Sequence, residues 1–542
     1  MGMSHVTARK NYGNLDFRFA ILIALCLCTI GMANSNNSFN QISQDQVPEG
    51  LSQSEWVDIQ AQIIAKRYNN HPHQQGYLKA FNADIGDLFG LYVDVSGDTV
   101  VVGAIYEDSS TTGVNSTPNE LAEDSGAAYI FIRSGGSWIQ QAYLKASNPE
   151  EDDHFGSSVA VSGDTVIVGA CSEDGNSLST LESPNNEALD AGAVYVFNRV
   201  GSNWTQQAYL KASNADSGDF FGCSVALSGD ILVVGADLED GDSSSTTSLP
   251  NDSKTNAGAA YVFIRSGNNW KQQAYLKASN TGVSDSFGSS VDVSGDTVVV
   301  GARYESGNST STVTSPNNLA FHAGAAYVFI RSGSNWSQQA YLKAFNAGAE
   351  DAFGGSVAVS GDTVVVGAYS EDGDSSSSIT VPNNSSYSAG AAYVYIRSVN
   401  NWSLQAYLKA SNAESSDFFG TSVALSDNTL VVGADLEDGD SSSTMGTPNN
   451  LRSGAGAAYV FLRSGSSWTQ KDYLKAFNTD YNDLFGYSVA IFGETIVAGA
   501  YFESGDSSST VAMPNNLTAA AGAVYVFDDS MFRNGFEEIP VN

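Results

Sequence analysis

His73 to Ala80 reads HQQGYLKA, and its reading decides the fold. The same phrase, usually as WxQQAYLKA, returns with tyrosines at Tyr143, Tyr209, Tyr275, Tyr341, Tyr407 and Tyr473, in steps of 66 residues counted from Tyr77. In each later copy it follows three other strand-like segments. The copy at Tyr77 follows none, and the chain ends its last copy at Phe527 without a YLKA segment. One strand is spare at the front and one is missing at the back.

The unit between these landmarks repeats without insertions. Phe-Gly recurs at Phe89, Phe155, Phe221, Phe287, Phe353, Phe419 and Phe485, again every 66 residues. Constant self-similarity of this kind marks an array of one supersecondary unit. In the second copy, SSVAVSG (Ser157 to Gly163) alternates polar and apolar residues, and Gly163-Asp164 supplies a two-residue hairpin turn. TVIVGA (Thr165 to Ala170) is almost wholly apolar, as for a strand covered on both faces. A polar loop of about 20 residues follows. AGAVYVFNR (Ala191 to Arg199) is rich in β-branched and aromatic residues and reads as a third strand. After the turn Val200 to Asn203, WTQQAYLKA (Trp204 to Ala212) is the fourth.

Four antiparallel strands repeated seven times predict an all-β fold, a seven-bladed β-propeller, with an open solenoid as the rival. The spare strand favours the ring, because Tyr77 to Ala80 can complete the last blade. Bringing together ends about 450 residues apart costs roughly 5 kcal/mol. Burying Tyr77 and Leu78 returns about 2–3 kcal/mol each. A solenoid leaves the strand unpaired and a sheet edge open.

The phrases FG, VGA and AGAAYVF resemble the FG-GAP repeat, the unit of the integrin α-chain propeller and of many exported bacterial proteins. The resemblance runs from Tyr77 to Phe527 and matches the integrin-type count of seven; the bacterial variant is the closer likeness. It implies an extracellular, non-catalytic binding module. Several integrin blades hold calcium in an Asp-rich loop between strands one and two. Here that connection is the tight SGDT turn ending at Thr99, Thr165, Thr297 and Thr363, so the family's calcium site does not carry over.

Composition narrows the function classes. The 542 residues carry 24 Lys+Arg against 59 Asp+Glu, a net charge of −35. Such a field repels phosphate backbones and disfavours nucleic acid as a partner. Arg9, Lys10 and Arg18 precede the apolar run Phe19 to Ile30, with Gly31 and Ala33 beyond it, a secretory signal pattern over 1–33. No later run is long and apolar enough for a transmembrane segment. The expected organisation is a signal peptide (1–33), a linker with a helix over Leu51 to Tyr68 (34–73), the propeller (74–527) and a tail (528–542). Cys171 and Cys223 can pair in an oxidising compartment.

Propeller geometry puts the 4→1 and 2→3 connections on one face. These are the long ones, so that face is the expected binding face. Three polar positions recur there seven times: Asn82 and its repeats, Asp87 and its repeats, and Glu107 and its repeats. One reading is structural, with short polar side chains accepting backbone N–H groups. The other is Ca²⁺, through Asp237, Glu239, Asp240 and Asp242, through Glu371, Asp372 and Asp374, and through Asp435, Glu437, Asp438 and Asp440, since carboxylates around a glycine can offer several oxygens. The tryptophans Trp138 to Trp468 either pack between blades or stack on sugars. His71, His73, His154 and His322 follow no repeat, and no nucleophile or phosphate-loop motif stands out. The sequence thus predicts a secreted or cell-surface monomer that binds protein or polysaccharide by multivalent adhesion, with a calcium-dependent lectin-like sugar binder and a polysaccharide-active enzyme as alternatives.

Overall fold

The computed structural model describes residues 74–245, 250–312, 314–510 and 513–528. The expected signal peptide, the helix over Leu51 to Tyr68 and the tail after Asp528 lie outside the described residues. Among those described, the strands form seven four-stranded antiparallel sheets, the blades of a propeller. In the first blade the strands are Val93–Ser96, Thr99–Ala104, Ala127–Ser134 and Ser137–Leu144, paired in chain order. The innermost strand of each blade touches that of the next, and blade seven touches blade one. The ring is closed.

Closure uses the spare strand. Gln74–Leu78 pairs antiparallel with Ala523–Asp528, with Tyr77 opposite Tyr525 and Leu78 opposite Val524. Tyr77 meets Phe477 edge-on at 5.5 Å and donates its hydroxyl to Glu503 at 3.0 Å. The last blade therefore holds one strand from the front of the propeller and three from its end.

The second strand of every blade, TVVVGA or a close variant, is buried along its whole length, as its unbroken apolar pattern predicts. A cluster of buried side chains fills each of the seven blade interfaces. Within each, the Phe of FG packs edge-on against the Tyr of the third strand, as Phe89 does on Tyr129 at 5.4 Å. The fourth strands begin one residue before the tryptophan and stop at Leu, earlier than the sequence reading (Asn203–Leu210 against Trp204 to Ala212), which frees the lysine of YLKA to turn under the loops.

The blades meet backbone to backbone. Phe155 N donates to Ser125 O at 3.0 Å, and the equivalent bond recurs at every interface, including Phe89 N to Ala521 O across the closure. Gly126, at φ +79°, lies beneath it: a Cβ there would sit 2.1 Å from Phe155 O. The glycine before AYVF is thus required twice over, by its left-handed backbone and by the approach of the next blade.

Replacing Tyr77 by Ala removes the aromatic contacts and the hydrogen bonds at the closing strand. We expect a loss of about 3 kcal/mol, seen as a lowered thermal midpoint. Ile139→Ala, at a side chain 53% exposed, should stay within about 0.5 kcal/mol of the parent.

Candidate functional site

Two layers lie at the loop-bearing end of the ring. The deeper one holds the recurrent polar residues. Glu107, Glu173, Glu239, Glu305, Glu371, Glu437 and Glu503 are all buried. Each faces the lysine of a YLKA segment at 2.8–3.0 Å, and blade seven takes its lysine, Lys79, from the closing strand. Around Glu239, one carboxylate oxygen accepts from Tyr275 at 2.6 Å and from Asn214 at 3.1 Å. The other accepts from Lys277 at 2.9 Å and the Gly241 N–H at 2.8 Å. Glu371 has the same four partners, Tyr407, Asn346, Lys409 and Gly373. Burial pushes each lysine below its ordinary pKa, and the facing glutamate opposes that.

The aspartate two residues before each FG phenylalanine is buried as well. Its carboxylate accepts the backbone N–H three residues earlier at 2.6–2.8 Å. Burial pushes these carboxyls up to about 7 at Asp87, Asp219, Asp285 and Asp351, and to about 8 at Asp153, Asp417 and Asp483. The recurrent Asn, Asp and Glu that the sequence places on the binding face therefore lie beneath it, as the joints of the loops.

The calcium candidates are spread over four surroundings. Glu239, Glu371 and Glu437 face lysines. Asp240, Asp372 and Asp438 accept the backbone N–H of Asn256, Ser388 and Gly454 at 2.7–2.8 Å. Asp242, Asp374 and Asp440 close Ser turns by accepting from Ser244, Ser376 and Ser442, bonds that hold Asp242 and Asp374 below the usual carboxylate range. Asp237 and Asp435 point to the ring axis. Within each loop these side chains do not converge. Among the described residues, three metal-ligating donors approach one another within 4.8 Å elsewhere, at Asp124, Asp152 and His154.

The tryptophans pack between blades. The indole N–H of Trp204, Trp270, Trp336, Trp402 and Trp468 donates to a glutamine of the preceding blade at 2.8–3.1 Å. Trp138 has Gly76 of the closing strand beside it.

The upper layer is the mouth of the axis, where the repeat breaks. The residue after each GA is Ile105, Cys171, Asp237, Arg303, Tyr369, Asp435 and Tyr501 in turn. The residue two after each FG phenylalanine is Leu91, Ser157, Cys223, Ser289, Gly355, Thr421 and Tyr487. Many of these line an axial cavity of about 600 Å³ with Tyr92 and Phe418. Arg303 lies 3.5 Å from Asp237 and over the Tyr304 ring. One oxygen of buried Asp435 and the Arg303 Nε have no hydrogen-bond partner. Burial lifts Asp435 to about 6. Cys171 and Cys223, which the sequence allows to pair, are free thiols. The diversity of these positions was visible in the sequence as a column that refuses to repeat.

The FG-GAP repeat model matches seven segments, 73–131, 138–197, 204–263, 270–329, 336–395, 402–461 and 468–527. The chain belongs to the FG-GAP repeat family. Each matched segment opens with one blade's fourth strand and runs through the first three of the next, so the FG-GAP unit is one strand out of phase with the blade. No curated protein matches the sequence. Among the described residues no helix is long and apolar enough to cross a membrane.

Removing one partner of a buried ion pair strands the other. Lys277→Met should cost about 3–5 kcal/mol, and the double variant Lys277→Met/Glu239→Gln should recover part of that in a denaturant melt. The aspartates give a pH signature. Their folded pKa values exceed the unfolded carboxylate value near 4, so the folded state binds more protons between these limits, and stability falls as pH rises through 7–8. The thermal midpoint should rise when pH is lowered from 8 to 6. Asp285→Asn should flatten that slope.

Proposed function

We propose that this FG-GAP propeller is a secreted or cell-surface, non-catalytic, monomeric adhesion module that engages protein or polysaccharide through its loop-bearing face. The observation that carries the reading is the pattern of side chains left in solvent there. Among the described residues, six of the 2→3 connections hold out a large apolar residue: Leu121, Leu189, Leu319, Tyr387, Leu451 and Leu517, each 58–75% exposed. A ring of like, weak contacts suits an extended or repeating ligand, because each engagement raises the effective concentration for the next. Exposed apolar side chains on an otherwise polar rim are also what interaction surfaces present. The basic stretch and apolar run ahead of Ile30 support export.

Calcium is not needed in this reading. Lysine ammonium groups already neutralise the recurrent glutamates, and hydrogen bonds hold the loop aspartates. The mouth of the axis, where five residue types share the seven positions after GA, supplies selectivity where the rim supplies avidity.

The experiment is binding to a glycan array and to immobilised extracellular-matrix proteins, with and without chelator. We expect retention on one of these classes and no chelator effect. The variant Leu121→Ser/Leu319→Ser/Leu451→Ser/Leu517→Ser should lose binding by more than the product of its single changes, at an unchanged thermal midpoint. Equal binding by that variant rejects the rim. Release of new reducing or unsaturated ends from sugar polymers rejects the non-catalytic reading.

A further inference from the structure

The junction of blades one and two departs from the other six. At every junction the 2→3 connection of one blade and the 4→1 connection into the next are tied by the same backbone bonds: here Asp152 N to Glu123 O at 3.0 Å and His154 N to Asp124 O at 3.2 Å. The scaffold thus brings three side-chain positions together seven times. Elsewhere they hold sets such as Asp190, Gly218 and Phe220, or Asn256, Ser284 and Ser286, or His322, Glu350 and Ala352. At the first junction alone all three are metal-ligating types.

We propose that Asp124, Asp152 and His154 form a site for one divalent transition-metal ion of the Zn²⁺ class. Their donor atoms lie within 4.8 Å of one another, half-buried or exposed and so open to solvent. Neither carboxylate receives a hydrogen bond or ion pair from any other described side chain. The imidazole is held from outside the cluster. Its Nδ1 lies 3.2 Å from Ser172 Oγ, and the Tyr106 ring packs edge-on against it at 5.4 Å. With Nδ1–H donating to Ser172, Nε2 is the unprotonated donor, the arrangement by which an outer hydrogen bond fixes a ligating histidine.

The donor set chooses the metal. One imidazole nitrogen with two carboxylate oxygens suits Zn²⁺, which needs three protein ligands and fills the remaining position with water. Ca²⁺ favours six to eight oxygens and gains little from the imidazole.

The test is calorimetric titration of the metal-stripped full chain with Zn²⁺, alongside the absorption of bound Co²⁺. We expect one ion per chain and a ligand-field band. His154→Ala, Asp152→Asn and Asp124→Asn place residues that the repeat itself carries at the matching positions (Ala352, Asn482 and Asn256), so the fold is kept and circular dichroism should not change. His154→Ala should weaken Zn²⁺ at least tenfold and abolish the band. Asp152→Asn and Asp124→Asn should weaken it severalfold. His71→Ala/His73→Ala and His322→Ala should leave it unchanged. Binding that survives His154→Ala, that is lost with His71 and His73 instead, or that Ca²⁺ displaces at equal concentration overturns the site.

Discussion

The backbone contact between neighbouring blades constrains everything else in this propeller. The amide of each FG phenylalanine reaches the carbonyl just ahead of the previous blade's third strand, with a glycine beneath it that leaves no room for a β-carbon. A contact this close fixes the angle between blades, and seven equal angles bring the last blade back to the first. The phenylalanine ring then drops onto the tyrosine of its own blade's third strand, and the interface closes over it.

Much of this was legible in the chain. Alternation, the Gly-Asp turns and the unbroken apolar second strands each mapped to the expected strand. The spare YLKA segment found its partner in the expected blade. The polar joints were harder to read. A glutamate in a Ser- and Asp-rich loop looks solvated, and only the fold shows that Glu239 sits under the loop against Lys277, 38 residues on. A signal was available. In a chain with 24 basic residues, seven stand at one repeat position, and seven glutamates stand at another. Opposite charges recurring in step are a pairing hypothesis, and burial follows from it because exposed pairs gain too little to require such strict recurrence. The axial cavity is not legible in the repeat: Asp237 and Asp435 read as members of acidic loops, and only the fold sets them with Arg303 and Tyr369 around the axis.

A division of labour follows. Positions that hold blade to blade are nearly identical in all seven copies, and in every joint the glutamate accepts from a lysine, an asparagine and a backbone N–H. Positions that surround the axial cavity are free of that duty and hold unlike side chains. The tryptophans illustrate the boundary: except for the buried Trp204 their rings lie partly in solvent, yet the indole N–H of Trp204 and Trp270 alike is committed to the neighbouring blade.

The closing strand also sets an order of events. Gln74–Leu78 is synthesised before any blade, and the strand it pairs with comes more than 440 residues later. Until Ala523–Asp528 is made, the first segment has no partner, blade seven does not exist and blade one has one flank bare. A ring built this way cannot lock before its last strand has been made. Circularity is therefore the last property the propeller acquires, however early its first strand is made.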